Sequence, residues 1–223
     1  MQIFRRREFP LKFDPLALLG FYLLFLIGFF GFGVVNAFGA FIPWSYFFVP
    51  VILLFRFQKA FEFRGDWIKL RVYGLAGTVA LCLLASYILG SMNMADPFRE
   101  KLQGHDKSLS REFFFYLCVV APIGEEVFFR GLLWRWFLSS SRVGRFREVL
   151  KMALIQSAMF SFFHLPAMIF YDSHYYMFFL LQGLLTFCGA MLFNWAFFKT
   201  NSLLYCIILH LLFNTLFLVL NYL

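Results

Sequence analysis

The sequence is short of charge. Asp, Glu, Lys and Arg make up only 14% of its 223 residues, against about 25% in a typical soluble domain. A chain this poor in charge and this rich in apolar residues is neither disordered nor a soluble nucleic-acid binder. Cysteine is scarce as well. Cys82, Cys118, Cys188 and Cys206 form no C-x-x-C pair, which excludes a secreted disulfide scaffold and gives no sign of a cysteine zinc or redox site. All four lie in apolar runs and are expected to be buried thiols. The chain has no G-x-S-x-G, no H-E-x-x-H and no aspartate pair within an apolar run. It also has no internal repeat and no low-complexity linker. What it has instead is hydrophobicity: 62% of residues are hydrophobic and 36 are Phe.

A membrane-crossing helix needs about 20 mostly apolar residues. Leu16–Val35, Phe38–Phe55, Val72–Gly90, Phe113–Leu138, Val149–Phe170, Tyr175–Phe198 and Ser202–Leu223 meet or approach that length. The second is short and holds Pro43 and Pro50. The fold class expected is all-α, a polytopic transmembrane bundle of about seven spans. The first run ends in no small-x-small cleavage site, so it is not a signal peptide. Residues 1–112 form an N-terminal membrane region of three spans and a loop, and residues 113–223 form the core that carries the chemistry. In the polar connection Ser91–Glu112, Asp96 and Pro97 are placed to start a short helix that Gly104 ends.

Basic residues set the orientation. With the N-terminus inside, fourteen Lys and Arg fall in cytoplasmic segments, among them Arg5, Lys59, Arg64, Arg147 and Lys199. Four fall outside: Arg99, Lys101, Lys107 and Arg111. This bias predicts seven spans with the C-terminus outside. The chain is therefore expected to be a multi-pass integral membrane protein, of a prokaryotic inner membrane, in contact with lipid and with no nucleic-acid partner.

Ionisable residues deep in a span cost several kcal/mol and are functional candidates by default. They are few here. The fourth run reads Ala121-Pro122-Ile123-Gly124-Glu125-Glu126-Val127-Phe128-Phe129-Arg130. Glu126 and Arg130, four residues apart, share a helix face and can pair. Glu125 is turned about 100° away and is left for another partner. Pro122 and Gly124 favour a bend or opening beside it. The fifth run carries Phe160 and His164 one turn apart, with Gln156, Ser157 and Ser161 expected to face the bundle interior and Pro166 expected to distort the helix near the histidine. The seventh carries His210 and Asn214, also one turn apart. At about 1.5 Å per residue, Glu125, His164 and His210 fall near the middle of a core about 30 Å thick. Asp172, His105 and His174 fall in connections, where a solvated side chain is expected. As residue types, Glu125, His164 and His210 suit two mechanisms. One is a water activated by a carboxylate with histidine partners. The other is a Glu-His-His set holding zinc or another divalent metal with an open position.

These residues resemble the CPBP family of intramembrane proteases, which includes the CAAX prenyl endopeptidases and the Abi-like bacteriocin-processing or immunity proteins. That family carries E-E-x-x-x-R, F-x-x-x-H and H-x-x-x-N on successive core helices. Here the motifs are Glu125-Glu126 to Arg130, Phe160 to His164 and His210 to Asn214. The resemblance covers the chain from about Phe113 onward. It implies endopeptidase action on a membrane-associated or lipidated peptide. It also implies that Glu125 and His164 activate water, that His210 and Asn214 hold the oxyanion, and that Glu126, Arg130 and Phe160 support them, with no cofactor required. The alternatives are a non-catalytic immunity or scaffold protein with the same fold, or a transporter. The transporter reading is disfavoured by the lack of repeat symmetry.

Overall fold

Apolar runs in lipid fold as helices because the backbone must then satisfy its own hydrogen bonds. The computed structural model describes residues 68–92, 96, 114–134, 137, 146–165, 168 and 171–222. These residues contain no strand. Helix α1 is Ile68–Met92, α2 runs over 114–134, α3 is Phe146–His164, α4 is Tyr176–Thr200 and α5 is Leu203–Tyr222. Helix α3 ends at His164, two residues before Pro166, as expected for a chain approaching proline. The expected spans Leu16–Val35 and Phe38–Phe55 lie outside the described residues, as do His105 and Gly104.

Three helical segments are long and apolar enough to cross a membrane: Val72–Met92, Ser173–Thr200 and Leu203–Tyr222. These three correspond to the expected spans Val72–Gly90, Tyr175–Phe198 and Ser202–Leu223. The other two helices carry more charge. Helix α2 contains Glu125, Glu126 and Arg130, and α3 contains Arg147, Glu148 and Lys151. Those of α2 are buried among protein groups, whereas Arg147 and Lys151 of α3 are exposed.

Helix α3 packs along α4, α5 packs on α1 and α2, and α1 also meets α4. Helix α1 turns small residues inward: Gly74, Thr78, Cys82 and Ala85 are buried. At Gly74 a Cβ would run into the Tyr205 hydroxyl, so glycine sets how closely α1 approaches α5. The opposite face of α1 exposes Val72, Leu83 and Leu84, and α4 exposes Met177, Leu180 and Leu184. Outward apolar faces suit a lipid surround. One expectation fails here: Cys188 is exposed and Cys118 only half-buried. A helix that is apolar all round has no stripe that marks its inner face.

The turn between α4 and α5 is two residues long. Asn201 takes a left-handed conformation, with φ 49°, and donates its N–H to the Phe197 carbonyl at 2.7 Å. Asn tolerates that region better than most residues. Ser202 Oγ then accepts the Tyr205 N–H at 3.2 Å, an N-cap for α5. Ser202→Ala is expected to lower unfolding stability in mixed micelles by about 1 kcal/mol, with no change in the site's chemistry.

Candidate active site

Helix α2 is not a uniform α-helix. Tyr116–Val120 and Val127–Leu133 are π-helical, and Ala121–Glu126 between them is α. The Ala121 N–H reaches the Tyr116 carbonyl, and the Trp134 N–H reaches that of Phe129. Pro122 has no N–H to give, which removes one α-type bond. Such π turns inside helices are frequent at functional sites. Here Glu125 and Glu126 stand at the junction where α gives way to π. The opening expected near Pro122 and Gly124 takes this form: a change of register with the helix continuous.

Four charged or titratable side chains are brought together by α2 and α5. Glu125 is 4% exposed, Glu126 and Arg130 0%, and His210 5%, so protein groups, not water, must balance them. Arg130 Nη1 donates to Glu126 Oε1 at 2.9 Å, the pair expected from their spacing. His210 Nδ1 is also 2.9 Å from Glu126 Oε1. A carboxylate oxygen accepts, so Nδ1 carries the hydrogen. The other ring nitrogen, Nε2, is 3.8 Å from Glu125 Oε2, close enough to interact electrostatically but too long for a hydrogen bond. His210 thus bridges the two glutamates.

Helix α3 supplies the second histidine. His164 Nδ1 is 2.8 Å from the Phe160 carbonyl. A carbonyl only accepts, so Nδ1 donates; in the neutral ring Nε2 is then the acceptor nitrogen. His164 interacts electrostatically with Glu125 and with His210. Phe160 explains its own place in the motif. Its ring centroid is 4.9 Å from that of His164, 5.9 Å from that of His210 and 4.9 Å from that of Phe129. The Arg130 guanidinium carbon lies 5.0 Å from the same ring centroid, a favourable cation–π geometry. Phe160 is therefore the wall that the two histidines and the buried arginine share.

Asn214 is placed differently from His210. Its Nδ2 donates to the Leu117 carbonyl at 2.8 Å, which ties α5 to the first π segment of α2. Ser161 Oγ donates to the Gly183 carbonyl at 2.6 Å. Gln156 and Ser157 are fully buried, as expected. Gln156 Nε2 donates to the Phe129 carbonyl. Asp172 and His174 are exposed.

One buried polar residue was not anticipated. Asn194, on α4, is 1% exposed. Its Oδ1 accepts from Arg130 Nε at 3.1 Å, and its Nδ2 donates to Ser157 Oγ at 3.0 Å and to the Ala153 carbonyl at 3.2 Å. Arg130 Nη2 also donates to the Ala190 carbonyl at 3.1 Å. The signal was available, because Asn194 is a lone amide in the apolar run Met191-Leu192-Phe193-Asn194-Trp195-Ala196. The rule applied to buried charges applies to it equally.

Among the described residues, no three His, Cys, Asp or Glu side chains converge closely enough to hold a metal ion. Both histidines do, however, commit Nδ1 to an oxygen and keep Nε2 for the site. Metal-binding histidines commonly show that arrangement.

A family model described as Type II CAAX prenyl endopeptidase Rce1-like matches residues 108–216. Residues 108–216 carry that Rce1-like domain, which matches the CPBP and CAAX protease family. The Rce1-like region takes in every residue of the site, from Glu125 on α2 to Asn214 on α5. The family is one of membrane proteases, which supports an intramembrane protease at family level. No curated protein and no solved structure matches the chain.

Proposed function

We propose that this Rce1-like protein is an intramembrane endopeptidase that hydrolyses a peptide bond of a membrane-associated or lipidated peptide, using a water activated by Glu125 and His164. The observation that carries the reading is the His210 bridge between Glu125 and Glu126, with Glu126 clamped by Arg130. Glu125 lies outside that clamp and interacts electrostatically with His164. Glu125 takes one proton from the water as its oxygen attacks the carbonyl carbon. His164 Nε2 accepts a hydrogen bond from the other O–H of the water, which stays bonded to the attacking oxygen, and holds the nucleophile in line. When the tetrahedral intermediate collapses, the C–N bond breaks and Glu125 returns its proton to the leaving amine. Carboxylates that exchange a proton in this way typically contribute about 10²–10⁴-fold.

The oxyanion falls to His210 and Asn214. The histidine role makes a definite demand. With Nδ1–H committed to Glu126, Nε2 must also carry hydrogen to donate, so the ring is an imidazolium. Two carboxylates, one guanidinium and one imidazolium then sum to zero in the buried cluster. Glu126 and Arg130 hold that ring rather than act on substrate. The protein is a multi-pass integral membrane protein of a prokaryotic inner membrane, with its N-terminus in the cytoplasm.

This mechanism needs no metal. After washing with a strong chelator, the purified full-length chain is expected to retain its peptidase activity and to contain well below one zinc per chain by elemental analysis. Activity that disappears on washing and returns with stoichiometric zinc would replace the water-activation scheme with a metal one.

A further inference from the structure

Resting on the hydrolytic reading above, we infer that Asn194 is a positioning residue for the reaction: it fixes Arg130 and, through Arg130 and Glu126, the orientation of the His210 ring. The contacts form one unbroken chain across four helices. Ser157 on α3 accepts from Asn194 on α4, whose Oδ1 takes Arg130 Nε at 3.1 Å. Arg130 on α2 donates to Glu126 at 2.9 Å, and Glu126 accepts from His210 on α5 at 2.9 Å.

Three features make this more than generic packing. First, the direction of the Asn194 amide is fixed by its partners. A guanidinium only donates, so the atom facing Arg130 is the oxygen. The Ala153 carbonyl only accepts, so the atom facing it is the nitrogen. A side chain with its polarity set on both ends orients what it touches. Second, Arg130 lies in the π-helical stretch Val127–Leu133, where the backbone ladder departs from the ordinary register. That stretch is anchored from outside, by Gln156 at the Phe129 carbonyl and by Asn194 and the Ala190 carbonyl at Arg130. Third, Glu126 Oε2 is buried with no donor among the described residues. Both bonds of this carboxylate therefore fall on Oε1, and any swing of Arg130 is passed directly to His210. Without Asn194, Arg130 keeps Glu126 and the Ala190 carbonyl but loses the acceptor that fixes its Nε.

The test uses the full-length chain in lipid nanodiscs, with the imidazole nitrogens of histidine labelled with 15N and a farnesylated CAAX peptide as the probe substrate. Asn194→Leu keeps the volume and removes the acceptor. We expect kcat to fall about 10–100-fold, the scale of a small misplacement of a reacting group, with KM within about twofold of the wild type. The His210 nitrogen signals, assigned by their loss in His210→Ala, should shift in the same variant. Ser157→Ala, a milder change that loosens only the far end of Asn194, should move the same signals in the same direction by less. Unchanged kcat with unchanged His210 signals would overturn the inference. So would a shift in KM alone, or an Asn194→Leu protein that fails to fold together with a Ser157→Ala protein whose His210 signals match the wild type. The spectroscopic arm does not need turnover. A wild-type chain that cleaves nothing would defeat the hydrolytic reading, while the His210 signals would still report on Asn194.

Discussion

Glu125→Gln is expected to lower turnover by about 10²–10⁴-fold, the usual worth of a positioned general base, and to leave the fold intact. Gln keeps the volume of Glu. His210 Nε2 lies 3.8 Å from its carboxylate, so no hydrogen bond between those two is lost. The amide cannot take a proton from water. A rate measurement on purified variant alongside a thermal unfolding curve separates the two effects. Loss of activity with a matching loss of stability would point to packing. Retained activity would remove Glu125 from the base role.

Glu126→Gln should behave in the opposite way. It strands the Arg130 guanidinium, fully buried, without its counter-charge. Breaking a buried pair from one side typically costs about 3–5 kcal/mol. That is a large part of the stability of a domain whose total is about 5–15 kcal/mol. Expression and resistance to unfolding should both fall. The double variant Glu126→Gln with Arg130→Met removes the stranded charge and should recover much of the stability, because a buried pair is often replaceable by apolar groups. It should not recover activity, because His210 would then lack the carboxylate that holds its Nδ1 at 2.9 Å. Unfolding in mixed micelles reads the first effect and peptide hydrolysis the second. Recovery of both would reduce Glu126 to a structural counter-ion.

The parts of this site that were legible in the sequence are the local ones. The Glu126–Arg130 pair follows from a spacing of four residues on a helix. So does the contact between Phe160 and His164, where the carbonyl of one meets the ring of the other at 2.8 Å. Burial of Glu125 and His210 follows from charge set in an apolar run. What the sequence does not encode locally is which distant group each of these meets. The His210 contact with Glu126 spans 84 positions and the Arg130 contact with Asn194 spans 64. Neither leaves a periodic trace. The π-helical register of α2 is hidden for a different reason. An i→i−5 bond differs from an i→i−4 bond by one backbone partner, and only Pro122 hints at the disturbance. Facing was equally obscure in α4, which is apolar on every side. Its inner face is marked by Asn194 and its outer face includes Cys188, and both lie in the same kind of run.

Peptidase action through Glu125 and His164 is open to one direct test. The most direct measurement is mass spectrometry of a farnesylated CAAX peptide, and of its unlipidated counterpart, after incubation with the purified full-length chain in lipid nanodiscs. One new product pair from a single scissile bond is expected with the wild type, and none above background with Glu125→Gln or His164→Ala. Intact peptides after incubation with the wild type, or the same product pair at the wild-type rate from Glu125→Gln, would contradict it.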